Sequence, residues 1–278
     1  MQTTQDPYIK SLSHRGFIQG LTISKPSNNK HNNTPLCHYF GGVRYGLAPS
    51  QRWRRASPLP DNYSYGTKDQ PGRCEGGAGV CPQPSFLGPQ DQSGWSEDCF
   101  QCNVYVPAGE VPEGGMYSIV ALYCIVMCML MNDIGWPVLF YIRTSSIPLT
   151  LIKLTPYTSN PTDGGWLQFG TPNGFNAAGL LGESSVQAVV VMPAYRLNVF
   201  GFLYSSELQH DAASVDETTT GNHGFWDQRL ALEWTRDNIH LFGGDAKRLT
   251  IAGYSAGKSP FLPGQSVVQG TKLMVKRG

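Results

Sequence analysis

A short apolar run in this chain leads directly into a glycine-flanked serine. Leu249-Thr-Ile-Ala252 has the character of a buried strand, and Gly253-Tyr-Ser-Ala-Gly257 follows it without a gap. The G-x-S-x-G pattern is typical of a sharp strand-to-helix turn that holds a nucleophilic serine clear of a sheet. Small residues on either side let the backbone turn without Cβ clashes. The pentapeptide and its strand alone are as compatible with an ordinary glycine-rich turn.

Apolar runs elsewhere predict further buried strands. Residues 138–142 and 186–192 have the length and apolar character of such strands. The most apolar stretch, residues 118–131, is too short to span a bilayer comfortably, so we expect no membrane span. A membrane-anchored fragment built on this stretch is the least favoured interpretation of the chain.

One segment has helical periodicity. In residues 224–241, Trp226, Leu230 and Trp234 recur every four residues and would form one apolar stripe. Gly243-Gly244 would end the helix. Because strands that alternate with a helix favour a sheet covered by helices, we expect an α/β fold.

Composition excludes several classes of function. Charged residues make up 15% of the chain and the net charge is +1, so the sequence carries no electrostatic footprint for nucleic acid. The seven cysteines form no metal-ligand pattern, since Cys99-Phe-Gln-Cys102 has no second pair at zinc spacing. We expect no metal and no organic cofactor. The polar N-terminus does not resemble a secretory signal, which favours a cytoplasmic location.

Several blocks of sequence together resemble one family. Residues 242–257 are similar to the active-site serine signature of the type-B carboxylesterase/lipase family, which includes the cholinesterases. Residues 96–107 resemble the second signature of that family, with departures at Phe100, Gln101 and Cys102. Three further blocks are similar and occur in the same order, at residues 37–46, 193–203 and 221–239. The resemblance covers most of residues 15–257.

The resemblance implies an α/β-hydrolase fold, a mixed central sheet flanked by helices, and an ester hydrolase. Ser255 would be the nucleophile, with Gly253 and Gly257 forming its turn. The oxyanion would accept hydrogen bonds from the backbone N–H of Ala256 and from a second loop. Gly164-Gly165-Trp166 resembles that loop of the family. Trp166 stands where the family has a third glycine. The substrate would be a small-molecule or lipid ester, and no specific protein partner can be inferred.

Other matching positions have structural roles in the family. Cys81 and Cys99 resemble a loop-closing disulfide pair, with Cys74 as the alternative first partner. The resemblance also implies two salt bridges, Arg52 with Glu97 and Arg196 with Asp227. We expect these pairs to hold loops in place; the alternative is that they are solvated surface charges.

Three segments do not match the family. Residues 1–278 would form one incomplete domain in which 116–134, 144–162 and 258–278 are unrelated insertions or tail. We hypothesise that these segments are translated introns. Codons for Gly115, Arg143 and Gly257 can each contain a splice donor, and excision of the first two segments keeps the reading frame. The second excision would also change residue 143 to histidine, which restores the His-Gly-Gly start of the family's oxyanion loop.

The family's catalytic acid and base are not found after Ser255. The 21 residues that follow Gly257 contain no His, Asp or Glu, and all six histidines precede the serine. A serine without a base is a weak nucleophile, so we expect the chain as given to be inactive and truncated after the turn. The alternative is a non-catalytic binding or adhesion protein on the same scaffold. Such family members usually lack the serine.

Overall fold

The computed structural model describes residues 3–27, 33–83, 94–109, 115–125, 138–140, 152–154, 170–183, 187–213, 221–254 and 272–274. The strands in this part of the chain are β1 (Thr4–Ser11), β2 (Phe17–Lys25), β3 (Thr34–Arg44), β4 (Gly46–Leu47), β5 (Ser57–Pro58), β6 (Gly72–Arg73), β7 (Gln101–Pro107), β8 (Tyr117–Ile125), β9 (Val138–Phe140), β10 (Ile152–Leu154), β11 (Ala188–Pro193), β12 (Gly244–Tyr254) and β13 (Lys272–Met274). The α-helices are α1 (Ala178–Glu183), α2 (Asn198–Phe202), α3 (Ser206–Ala213) and α4 (His223–Asn238). Single 3₁₀ turns occur at Ser13–Arg15, Pro172–Gly174 and Ile239–Phe242.

A nine-stranded mixed sheet organises the described residues. Its order is β1-β2-β3-β7-β11-β8-β12-β13, with β6 beside β2. From β1 to β11 each neighbour along this order is antiparallel. From β11 through β8 and β12 to β13 all neighbours are parallel. The expected mixed sheet is therefore present, and its parallel half contains the strand that leads to Ser255.

Helices cover both faces of the sheet, as the alternation of side chains in β11 shows. Val189 and Val191 belong to a core that also contains Trp234 of α4. Val190 points to the opposite face, into a second core that contains Leu181 of α1. All six residues of β11 are buried, which explains why the sequence there is continuously apolar.

The predicted helix over 224–241 is confirmed, and its buried face contains polar residues in addition to part of the predicted stripe. The structure has α4 followed by a 3₁₀ turn, and Gly243 ends the helical segment in a left-handed conformation with φ of 84°. Trp234 is buried in the larger core and Leu230 packs against it, whereas Trp226 is only partly buried. The fully buried face also includes polar residues such as His223 and Asp227, because it packs on arginine-containing loops as well as on the sheet.

The two apolar segments of the central region form strands that belong to different sheets. Residues 117–125 form β8, which lies between β11 and β12, with Val120 opposite both Val190 and Thr250. Residues 138–140 do form a strand, but β9 pairs with β10 in a separate two-stranded sheet. Apolar, β-branched runs are typical of the central strands of parallel sheets.

Candidate active site

Strand β12 ends at the residue before the predicted nucleophile. The predicted strand at 249–252 is confirmed within β12, which runs from Gly244 to Tyr254. Leu249 and Ile251 are buried in the larger core, so the strand is held firmly in the sheet. Gly253, the first glycine of the motif, pairs with Tyr123 of β8. The chain thus reaches residue 255 at the carboxyl end of a parallel strand, where α/β sheets place their ligands.

The remaining predicted catalytic groups lie outside the described residues. These are Ser255, Ala256 and Gly257 of the turn and Gly164, Gly165 and Trp166 of the predicted oxyanion loop. On the far side of that loop the described chain resumes at Gly170.

Side-chain amides anchor the chain where it resumes after the predicted oxyanion loop. Gly170 N donates to Gln83 Oε1 at 2.8 Å, and Gln83 Nε2 donates to Gly170 O at 3.3 Å. Asn103 Nδ2 donates to Pro172 O at 3.2 Å and to Asn173 Oδ1 at 2.9 Å. No periodic signal in the sequence marks Gln83, Asn103 or Asn173, since each is a single amide with hydrogen-bond partners far away along the chain.

The structure joins Cys81 to Cys99 in a disulfide, with a Cα–Cα distance of 5.2 Å. Cys74, the alternative partner, is a buried free thiol. Cys102, the other end of the C-x-x-C sequence, is also free, and its Sγ donates to Val43 O at 3.4 Å. Burial raises the pKa of Cys102 well above its ordinary value, so it forms little thiolate. The C-x-x-C spacing is therefore not arranged for redox chemistry.

Arg196 and Asp227 form a buried two-point ion pair. Their side chains are 5% and 0% exposed, and Arg196 Nη2 lies 2.7 Å from Asp227 Oδ1. Arg196 Nη1 donates to Arg54 O at 2.8 Å, which ties the pair to the loop before β5. Complete burial raises the pKa of Asp227, and the bonds from Arg196 oppose that rise. The pair joins α4 to two loops, which is a structural role.

Arg52 and Glu97 form an exposed ion pair at the edge of a surface cleft of about 250 Å³. Arg52 Nε lies 2.8 Å from Glu97 Oε2. Asp98 and Arg196 also line the cleft, but Asp98 is bonded to Arg44 at 2.6 Å. The charged side chains of the cleft are thus already paired within the chain. Trp53 and Phe200 also line the cleft. We interpret the cleft as a gap between packed loops and not as a binding site.

Among the described histidines, His223 is the one that is completely buried. Both ring nitrogens lack a hydrogen-bond partner. Burial lowers the pKa of His223 to about 4, and the charges of three nearby arginines add to this effect (Arg196, Arg55 and Arg54). His223 is therefore neutral near pH 7. No sequence signal distinguished it, because its environment is made by loops distant in the chain.

The described residues contain no group of three or more His, Cys, Asp or Glu side chains that could hold a metal ion. None of their helices combines the length and the apolar character that crossing a membrane requires.

Comparison with known proteins decides the family. A sequence profile of the carboxylesterase family matches residues 162–260. A carboxylic ester hydrolase of Gibberella moniliformis is 42% identical over 258 residues, which are 91% of this chain and 39% of that protein. The chain belongs to the carboxylesterase family. An uncharacterized esterase/lipase of Schizosaccharomyces pombe is 32% identical over 262 residues, covering 90% of this chain and 38% of that protein. This family member thus spans about two fifths of the length of these relatives.

Solved structures establish the fold class. The chain superposes on EstA of Aspergillus niger with a TM-score of 0.58 at 19% identity, covering 91% of this chain and 37% of that one. It superposes on the juvenile hormone esterase of Manduca sexta with a TM-score of 0.58 at 22% identity, covering 92% of this chain and 37% of that one. These identities speak to the fold alone, which is the α/β-hydrolase fold expected from the sequence.

Proposed function

We propose that the protein to which this chain belongs is a carboxylic ester hydrolase with Ser255 as its nucleophile. The observation that carries the proposal is β12, which delivers the G-x-S-x-G sequence at the carboxyl end of a parallel strand in a carboxylesterase-family fold. Ser255 Oγ would attack the ester carbonyl, the alcohol would leave, and water would then release the acid. The substrate class is a small-molecule or lipid ester.

Backbone amides would stabilise the oxyanion that forms during this attack. We assign the donors to Ala256, directly after the nucleophile, and to the loop that contains Gly164, Gly165 and Trp166. A tryptophan in place of glycine does not remove a donor, because the backbone N–H is unaffected by the side chain. Loss of one such donor typically costs about 100- to 1000-fold in rate.

We further propose that the 278 residues by themselves do not turn over esters. Attack by serine needs a histidine base oriented by an acid, and the sequence has none of His, Asp or Glu after Ser255. His223 is fully buried, and burial beside Arg196 lowers its pKa to about 4, so its imidazole is too weak a base for this role. Activity then belongs to a longer product that supplies both groups.

Residues 116–134, 144–162 and 258–278 are proposed to be foreign to the family domain. In support, the family profile begins at residue 162 and ends at 260, next to two of these boundaries. Strand register gives independent support. Excision from Gly115 to Gly135 would move every later residue back by twenty positions, from 135 to 115. Ile142 would then take the place of Leu122, opposite Ala252 in β12.

The second excision would complete the same edge of the sheet. Residue 143, changed to histidine, would take the place of Tyr123, opposite Gly253. Gly165 would take the place of Ile125, which pairs with Tyr254, the residue before Ser255. The repaired sequence would therefore bring the proposed oxyanion donors beside the proposed nucleophile. In the sequence without these excisions, the position beside β12 is occupied by β8.

Sequencing the transcript as cDNA from codon 100 past codon 257 tests the proposed boundaries. We expect reads that skip the three segments and continue to a downstream acid and histidine. Reads that retain all three segments and stop after Gly278 would contradict the boundary proposal.

Hydrolysis of p-nitrophenyl esters by the longer product tests the proposed nucleophile. Ser255→Ala should reduce kcat/KM at least about 1000-fold. Ser57→Ala, at an exposed position on β5, is the matched control and should leave the rate unchanged. A folded, inactive wild type would instead favour the non-catalytic binding interpretation.

A further inference from the structure

We propose that Gln83 is a positioning residue for ester hydrolysis, which aligns the oxyanion loop by holding Gly170 through both of its backbone hydrogen-bonding groups. The inference rests on the proposed function, in which Gly164, Gly165 and Trp166 supply the loop's donors. It adds a role for a side chain that lies 87 residues away from Gly170 in the sequence.

The Gln83 side chain binds Gly170 as a neighbouring peptide group would. Its Oε1 accepts from Gly170 N at 2.8 Å, and its Nε2 donates to Gly170 O at 3.3 Å. Nε2 also donates to Cys81 O at 3.1 Å. Gln83 is only 7% exposed, so water competes poorly for these bonds. Two opposed bonds to one residue restrain both the position and the orientation of its backbone.

The segment that carries Gln83 is itself held in place. Cys81, whose carbonyl accepts from Gln83, is joined to Cys99 by the disulfide. The carbonyl oxygen of Pro82, the residue between Cys81 and Gln83, accepts a hydrogen bond from Asn198 Nδ2 at 2.8 Å. Gly170 is therefore attached to a cross-linked part of the chain that precedes the sheet's central strands.

A second set of amides extends the restraint beyond Gly170. Asn103 is fully buried and bridges Gly42 N, Ala78 N and Pro172 O. Asn173 Nδ2 donates to Ala78 O at 2.8 Å. These contacts hold the chain from residue 172 onward, so among the described contacts that of Gln83 with Gly170 is the nearest in sequence to the oxyanion loop.

Gly170 is close enough in sequence to the proposed oxyanion donors for its position to affect theirs. Gly170 is four residues after Trp166, which is at most about 14 Å of extended chain. An oxyanion donor works only when its N–H is preorganised at the place where charge develops. A misplacement of about 1 Å can cost on the order of 100-fold in rate. A loose anchor at Gly170 should therefore weaken transition-state binding more than substrate binding.

Gln83→Leu in the longer, active product tests the proposal, because it removes the amide and keeps most of the side-chain volume. We expect kcat to fall about 10- to 100-fold with KM within threefold. Affinity for a trifluoromethyl ketone, whose adduct with serine carries the oxyanion, should fall by a similar factor. Gln19→Leu is the matched control, because it also loses an amide hydrogen bond, to Glu75 Oε1, and the Gln19 side chain has no hydrogen bond to the described residues 170–175. Its kcat should stay within twofold of wild type.

The outcomes separate this proposal from the proposed function. If Ser255→Ala is inactive while Gln83→Leu keeps its kcat and its ketone affinity within twofold, the positioning role is overturned and the nucleophile stands. If Ser255→Ala keeps full activity, the proposed function itself has failed. Should Gln83→Leu not fold, Gln83→Ala decides on the same readouts, and an unchanged kcat in that variant likewise overturns the role.

Discussion

The Arg196 guanidinium grips the Asp227 carboxylate at two points inside the protein, with Nη2 2.7 Å from Oδ1 and Nε 2.8 Å from Oδ2. The backbone N–H of Arg196 donates to the same Oδ2 at 3.1 Å. Such a pair offsets the desolvation of both charges only while both partners are present. The pair connects the first half of α4 to the loop after β11. Its loss should therefore weaken the packing of α4 on the sheet.

Removal of one partner of this pair should destabilise the protein strongly. Asp227→Asn leaves the Arg196 charge buried and unpaired, and we expect a loss of about 3–5 kcal/mol in the free energy of unfolding. Asp237→Asn, which breaks an exposed pair with Arg236, should cost no more than about 1 kcal/mol. Urea denaturation of both variants measures the difference. Equal losses would mean that the buried pair contributes no more to the free energy of unfolding than the exposed pair does.

Two adjacent glycines offer a matched pair for the loop that Asn173 holds. Gly77 has φ of 89°, and a Cβ there would lie 2.6 Å from Asn173 Oδ1. A Cβ on Gly76 would meet nothing within 4 Å. Gly77→Ala should therefore destabilise by about 1–3 kcal/mol, whereas Gly76→Ala should change stability by less than about 0.5 kcal/mol. Thermal unfolding distinguishes them, and a harmless Gly77→Ala would contradict the described loop conformation.

Burial of His223 predicts sensitivity to acid. Its folded-state pKa is about 4, below the value of about 6.5 expected for an unfolded chain, so unfolding takes up a proton between these values. Stability contributed by the neutral imidazole is fully present above about pH 6.5 and is lost as the pH falls toward 4, by at most about 3 kcal/mol. His223→Leu should flatten this part of the stability profile. His210→Gln, at an exposed position of α3, should not.

The Cys81–Cys99 bond should contribute to stability through the loop it closes. The two cysteines are 18 residues apart, and a loop of that length corresponds to about 3 kcal/mol. A reductant should lower the Tm of the wild type but not of a Cys81→Ala/Cys99→Ala double variant. Equal response of both proteins would show that the bond does not form. Since disulfides are rare in the cytosol, mass spectrometry of the protein from cells also tests the cytoplasmic expectation.

Periodicity in the sequence was sufficient to predict the main elements near the site. The helix at 224–241 and the strands at 186–192 and 249–252 were expected from apolar patterns and are present. Sequence resemblance also pointed to the pairs that the structure brings together, including Arg196 with Asp227. These features are local or carried by short signatures, so single stretches of chain contain enough information to predict them.

Competition for a place in the sheet could not be predicted from local pattern. Residues 117–125 and 138–140 are both apolar, and only pairing with β11 and β12 decides which of them is central. The polar part of the buried face of α4 could not be predicted either, because Asp227 is paired with Arg196, which comes from another segment.

The sequence by itself determined the nucleophile candidate, the alternation of strands and helix, and the family, because these depend on residue type and spacing along the chain. Only the tertiary structure decided that Gln83 holds Gly170 and that His223 is buried without a partner. The physical reason is that a polar side chain's role depends on which distant groups share its low-dielectric surroundings. Folding brings those groups together, and their spacing in the chain does not record it.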